Sequence, residues 1–335
     1  DVMSRHQLLR NTIFDDSIPF KKRCLDLFDF QFKHNQVYRT FSETLGVNPG
    51  KISSVIQIPL LPIEAFKRSR VVTNQPSGEP EAYFESSGTS GMDRSQHIVL
   101  DQSVYIKSVL SGFNKHFNCD HSALACYMPG YRQNRHSSLI KMAEILIEND
   151  PSGLSRFIQT SDDLCKMIEN VNQYGKKLVL FGAAFGLLDM IEQWDIPDTT
   201  NIEVIETGGM KTYRREINKQ ELRKRLSDGF NIPPKSIHSE YGMCELLSQM
   251  YAIGSEWFSY PHWMHITIRN SDNSMREEVY GAEGKIGIID LANLYSCPFI
   301  LTEDRGVMNR EGQFRVLGRW NNENLRGCNF LIDDE

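Results

Sequence analysis

The residues best suited to chemistry lie in Ser86-Ser87-Gly88-Thr89-Ser90-Gly91, directly after a short strand expected over Ala82–Glu85. Hydroxyl side chains interleaved with glycines let backbone N–H groups approach an oxyanion closely while the hydroxyls donate further hydrogen bonds. That chemistry suits a polyphosphate, and Arg94 is the nearest cation along the chain. The Gly-Lys-Ser/Thr ending of a Walker loop is missing, so a P-loop NTPase is not supported. An ordinary Ser/Gly turn has the same composition, so this segment decides nothing by itself.

Three further segments have a functional and a plain reading. Glu206-Thr207-Gly208-Gly209 ends the apolar run Asn201–Ile205, and a glycine pair outside a strand's carboxyl end lets a flat ring lie against the backbone. In Glu240-Tyr241-Gly242-Met243-Cys244-Glu245 an aromatic ring, a glycine and a carboxylate fall together. Tyr241 can stack on a base, and Glu245 can hold Mg2+, which keeps several waters and needs one or two carboxylates besides substrate phosphates. Asp304, expected just after the strand Pro298–Thr302, can accept from ribose hydroxyls, and Arg319 can reach phosphate or ribose from the other side. Strand-ending turns, a buried Tyr, a solvated Glu and a surface Arg are the plain readings.

The elements that must position these groups follow from hydrophobic periodicity. The first sixty or so residues carry Phe and basic residues at helical spacing and lead into the Pro-bounded stretch Ile56–Phe66, which reads as a helical layer docked on a sheet. From Ala82 short apolar runs alternate with longer amphipathic ones, the pattern of an α/β sheet with helices on its faces. After about Glu256 short strand candidates take over. The expected division is therefore an α/β nucleotide-binding core with its N-terminal layer over residues 1–255 and a β-rich subdomain over 256–335.

Bulk properties narrow the classes. The 335 residues are 40% hydrophobic, enough for a large core, and the net charge of −6 has no Lys/Arg track for a phosphate backbone, so nucleic acid is not expected as a partner. No stretch approaches the ~20 apolar residues that span a bilayer, and the first residues have no signal-like apolar segment, which points to a cytoplasmic protein. Seven scattered cysteines, Cys24, Cys119, Cys126, Cys165, Cys244, Cys297 and Cys328, form neither a zinc nor a disulfide framework.

The order and spacing of the four segments resemble the adenylate-forming superfamily of acyl-CoA synthetases, aryl-CoA ligases and luciferases. More closely, IPLLPIEAFK, ESSGTSG, ETGGMK, EYGMCELLSQ, PFILTEDRG and LGR...LRGC resemble the acyl-protein synthetase family, which includes the long-chain fatty acid luciferin-component ligases. The resemblance implies the adenylate-forming large-domain fold and the conversion of ATP and a carboxylic acid, fatty in the family's best known members, into acyl-AMP. It makes Ser86 to Gly91 the phosphate loop, Gly208 and Gly209 the adenine wall, Tyr241 with Gly242 the base-stacking segment, Glu245 the Mg2+ ligand, and Asp304 the ribose ligand. Cys328 falls where the family carries its acyl-accepting thiol, with Arg326 two residues earlier to favour the thiolate, and the acyl group would then pass to a partner protein such as an acyl reductase.

Two departures temper that expectation. The sequence stops seven residues after Cys328, so the mobile C-terminal domain of the CoA-forming enzymes, with its catalytic lysine, is expected to be absent. Cys244 also stands where a Thr hydroxyl commonly contacts the α-phosphate. A CoA ligase and a non-catalytic nucleotide-binding subunit are the alternatives, and ATP–pyrophosphate exchange separates them.

Overall fold

A computed structural model describes residues 4–87, 94–131, 133–198, 201–208 and 217–320. In chain order these residues contain helices α1 (Arg5–Thr12), α2 (Phe20–His34) and α3 (Gln36–Thr44), the short strand β1 (Leu61–Pro62), helix α4 (Ala65–Arg68), the hairpin strands β2 (Ala82–Glu85) and β3 (Gln96–Val99), and α5 (Gln102–Asn114). Strands and helices then alternate as β4 (Ser122–Tyr127), α6 (Ser138–Glu148), β5 (Arg156–Phe157), α7 (Ser161–Gln173), β6 (Lys177–Ala183), α8 (Ala184–Gln193), β7 (Ile202–Thr207), α9 (Lys219–Phe230) and β8 (Ile237–Tyr241). The remaining strands are β9 (Met250–Ala252), β10 (Met264–Arg269), β11 (Gly284–Asp290), β12 (Phe299–Met308) and β13 (Phe314–Arg319).

The chain divides into two compact units: residues 1–65, 71–75 and 262–335 in one, and 66–70 with 76–261 in the other. The expected grouping put the N-terminal helices with the nucleotide core, whereas they belong with the C-terminal strands. The reason is visible in their buried faces. Along α2, Cys24, Leu27, Phe28 and Gln31 recur at helical spacing and are buried. Phe28 packs on Tyr38 and Phe299 at ring distances of 5.9 and 6.3 Å. The polar groups on this face are matched: Gln31 donates to the Leu294 carbonyl at 2.7 Å, Asn35 to the Ser296 carbonyl at 2.8 Å, and Tyr38 to the Pro59 carbonyl at 2.7 Å. Each aromatic buried this way contributes on the order of 1.5–3 kcal/mol. In the same unit, β1 adds in parallel to β12, followed by antiparallel β11 and β10, with β13 also on β12.

The larger unit is built on the sheet β5-β4-β6-β7-β8-β9, parallel except for the antiparallel edge pair β8–β9. Strands buried on both faces read as continuous apolar runs, and Leu178–Phe181 are all 1% exposed or less. Strand β6 passes into α8 without a loop, and this needs glycine: a Cβ on Gly182 would lie 2.7 Å from the Tyr127 carbonyl oxygen, and one on Gly186 2.9 Å from Pro129. Thr160 and Asp163 form a capping box on α7, and Asn218 caps α9 by accepting from the Glu221 amide at 2.8 Å. The strand–helix alternation read from the sequence is thus the architecture found, with the carboxyl ends of β4, β6, β7 and β8 on one side of a parallel sheet.

Candidate functional site

The hydroxyl-rich segment is the connection of the β2–β3 hairpin, whose register runs from Ala82 opposite Val99 to Glu85 opposite Gln96. One residue further on, the Ser86 amide donates to the Ser95 carbonyl at 3.1 Å and the Ser95 amide donates to the Ser86 hydroxyl at 3.0 Å. Ser86 thereby closes the neck of the loop, and Ser87 is exposed beyond it. Arg94, expected as a cation for the loop, lies 3.6 Å from Glu85, so part of its charge is used across the hairpin base. Gly88, Thr89, Ser90 and Gly91 lie outside the described residues, as do Gly209 and Cys328.

At the carboxyl end of the sheet the second and third segments come together because β7 and β8 are parallel neighbours, with Glu206 opposite Ser239 and Thr207 opposite Glu240. Gly208 follows β7 with φ +78°, a conformation that favours glycine, and a Cβ there would sit 3.7 Å from the Tyr131 hydroxyl. Tyr241 ends β8, half-buried, with its ring 5.8 Å from Phe258, and Gly242 begins the turn after it. A Cβ on Gly242 would fall 2.5 Å from a Glu240 carboxylate oxygen, so any side chain there would have to displace that buried carboxyl.

Two carboxyl groups lie under these turns. Glu206 is fully buried and accepts from Lys219 Nζ and from the Ser239 hydroxyl, both at 2.5 Å. Glu240, 6% exposed, accepts from the Thr207 hydroxyl. Burial raises the Glu240 carboxyl to about 7, and the neighbouring Glu206 charge pushes the same way, against the Thr207 hydrogen bond and Lys219.

A second link joins the hairpin to the segment after β8. His97 of β3, fully buried beside Phe66 and Phe84, donates from Nδ1 to the Cys244 carbonyl at 2.7 Å, and the Cys244 thiol lies 3.9 Å from the Ser95 carbonyl. Burial lowers His97 to about 4, so it is neutral at physiological pH and holds this contact as a neutral donor. The Cys244 thiol is therefore directed at the neck of the hairpin. Glu245 follows, 7% exposed.

In the other unit, Asp304 and Arg319 are direct cross-strand partners of β12 and β13. The expectation that Asp304 follows the end of its strand is corrected: β12 continues to Met308, and Asp304 lies inside it, one residue before the irregularity between Arg305 and Gly306. Pairing with β13 extends the strand past the point where its apolar run stops. The Asp304 amide donates to the Thr302 hydroxyl at 3.1 Å, and Arg319 is exposed.

No group of three or more His, Cys, Asp and Glu side chains among the described residues forms a metal site. A Mg2+ ion that arrives with a triphosphate needs no such cage, and the hard oxygen donor of Glu245 fits it. The sequence motifs gave no role to Glu240, although it opens the third segment, and did not include Lys219, His97 or Tyr131. Lys219 left a signal: a lysine in the first turn of a helix opposes the helix dipole and calls for a local anion, here Glu206. Among the described residues no helix is long and apolar enough to cross a membrane.

Comparison with known proteins agrees with this arrangement. Similar solved structures include an open conformation of 2-hydroxyisobutyryl-CoA ligase in complex with 2-HIB-AMP and CoA, at 11% identity and TM-score 0.66, covering 90% of this chain and 70% of that one. The same ligase in the postadenylation state with R3-HIB-AMP gives 12% identity and TM-score 0.66, covering 95% and 71%. ATP-bound MatB from Rhodopseudomonas palustris gives 13% identity and TM-score 0.53, covering 72% of this chain and 48% of that one, so this chain spans about half of its length. These similarities establish the adenylate-forming fold. A search of curated proteins gives no significant match. The family described as acyl-protein synthetase, LuxE matches residues 12–335, nearly the whole sequence, and the chain belongs to that family.

Proposed function

We propose that this chain activates a carboxylic acid with ATP and Mg2+ to an acyl-adenylate, passes the acyl group to the Cys328 thiol, and delivers it to a partner protein. The observation that carries the first step is the meeting of Gly208, Tyr241 and Gly242 at the carboxyl ends of adjacent parallel strands, with the hydroxyl-rich hairpin tied to the following turn through His97. Ligands of open α/β sheets bind at such ends.

In this reading the Gly208 turn receives the adenine, the Tyr241 ring stacks on it, and Asp304 holds the ribose, with Arg319 as its cationic neighbour. The loop from Ser86 to Gly91 supplies donors to the phosphates. Glu245 would hold Mg2+, which supplies charge neutralisation of the phosphates when bound. A carboxylate oxygen of the acid attacks the α-phosphorus, the bond to the bridging oxygen breaks, and pyrophosphate leaves with that electron pair. The Cys328 thiolate then attacks the acyl carbon, AMP leaves as its phosphate monoester, and a thioester remains. A second thiol or alcohol on the partner repeats that exchange.

The test is ATP–pyrophosphate exchange across a panel of fatty, hydroxy and aryl acids, followed by labelling with radioactive acid. Acid-dependent exchange and hydroxylamine-sensitive label on the protein are expected. Exchange without label removes the thioester step, and the lack of exchange with every acid removes the adenylation reading.

A further inference from the structure

Alternation along β7 and β8 places two carboxyl groups on opposite faces of neighbouring strand ends. On one face Glu206 is matched by Lys219 and Ser239. On the other, Glu240 has the Thr207 hydroxyl and an otherwise neutral surround. The titratable groups that face it are the phenols of Tyr131 from the β4–α6 connection, Tyr105 of α5 and Tyr251 of β9, all raised by burial and by the Glu240 charge itself. From behind, Glu206 of β7 opposes its ionisation and Lys219 at the start of α9 favours it.

We propose that Glu240 is a positioning residue that ties the carboxyl ends of β7 and β8 together through Thr207 and so sets the spacing of the Gly208 and Gly242 turns. This deepens the adenylation reading and rests on it for the purpose of those turns. Three observations support it. The Thr207–Glu240 hydrogen bond crosses between the last ladder positions before the two turns. One Glu240 oxygen lies 2.5 Å from where the Cβ of any side chain at position 242 would stand, so carboxyl and turn approach each other closely. The carboxyl is walled off from water, which makes its hydrogen bonds strong and the ionised form costly.

The protonated carboxyl accepts from Thr207 and still has a proton to donate, whereas the ionised form is a buried anion next to Glu206 and beneath turns that receive an anionic nucleotide. Raising the pH through about 7 therefore places a buried charge beside Glu206 at a cost that exceeds what the Thr207 hydrogen bond, stronger to an anion, returns, and the two strand ends lose stability. Glutamine has the same shape and hydrogen-bonding groups as the protonated acid, and it does not titrate.

Hydrogen exchange of the full chain, read as protection factors over residues 202–208 and 237–245 between pH 6 and 8, tests this without requiring turnover. Glu240→Ala and Thr207→Val are expected to lose about tenfold or more of the protection in both segments at pH 6, while Glu240→Gln stays near wild type. Wild-type protection, and the affinity for a fluorescent ATP analogue, are expected to decline from pH 6 to 8, and Glu240→Gln is expected to show neither decline. Unchanged protection in Glu240→Ala, or a Glu240→Gln protein as damaged as Glu240→Ala, overturns the proposal. If Glu240→Ala does not fold, Thr207→Val removes the same hydrogen bond at nearly constant volume and decides the matter by its protection at the two segments. A protein with the expected exchange pattern and no pyrophosphate exchange with any acid would retire the adenylation reading and leave Glu240 as the tie.

Discussion

Glu245 and Asp304 are the residues on which nucleotide chemistry is expected to depend most directly. Glu245→Ala removes the one carboxylate assigned to Mg2+, and a loss of about a hundredfold or more in pyrophosphate exchange is expected. Stopped or continuous exchange assays at saturating ATP check it, and full retained exchange would remove the metal assignment. Asp304→Ala is expected to weaken nucleotide binding by about 1.5 to 3 kcal/mol through the loss of charge-assisted hydrogen bonds to the ribose. Calorimetric titration with ATP and with its 2′,3′-dideoxy analogue distinguishes the cases: if the acid serves the ribose, wild type and variant bind the dideoxy analogue alike. For Cys328→Ser, adenylation is expected to persist while the hydroxylamine-sensitive label disappears, since a serine alkoxide is not formed at neutral pH.

At the scale of elements, the two glycine turns give opposite geometric reasons for the same sensitivity. A methyl group at Gly208 would make only an ordinary contact with the Tyr131 hydroxyl, but φ is positive at 78°, and Gly208→Ala is expected to cost on the order of 1–2 kcal/mol in backbone strain. Gly242 has no positive φ among the described glycines, but its Cβ would lie 2.5 Å from Glu240. Gly242→Ala must displace that carboxyl, so the expected result is a weaker nucleotide site together with a loss of protection at the β7 end. Combining Gly242→Ala with Glu240→Ala should restore part of the stability, because the clash then has no second partner. Denaturant titration of the two single variants and the double variant measures this coupling. A double variant as unstable as the sum of the singles would show that the close approach carries no energy.

For the whole molecule, buried titratable groups set opposing pH dependences. His97 and His238 are each lowered by burial to about 4, so between pH 4 and 6.5 the unfolded chain binds more protons than the folded one. Stability from these residues is complete above pH 6.5 and is lost as the pH falls toward 4, each contributing on the order of a few kcal/mol. Glu240 acts in the other sense: its contribution is complete below the ordinary glutamate value and is lost as the pH rises through about 7. Denaturant midpoints across pH 4 to 8 are expected to rise from the acid side. His97→Gln should flatten the acid limb, and Glu240→Gln should lift the neutral and alkaline side. Much of this molecule was legible beforehand. The strand–helix alternation from Ala82, the strands after Met264, and the Gly208 and Tyr241-Gly242 turns follow from periodicity and glycine placement, because hydrophobic period and backbone permissiveness are local properties. Other features depend on which strands become neighbours. Nothing local to Glu240 marks it as a buried carboxyl, since its environment comes from Thr207 across one ladder and from Tyr105, Tyr131 and Tyr251 on three other elements. The continuation of β12 through Asp304 depends on β13, and the N-terminal helices join the C-terminal strands because Phe28, Gln31 and Asn35 find partners some 260 to 270 residues later. Hydrophobic period and glycine placement determined the element types, and the resemblance of the quoted motifs to the acyl-protein synthetase family pointed to the chemistry. Only the tertiary structure decided which polar groups lose water together, and that loss of water sets the charge of Glu240 and His97.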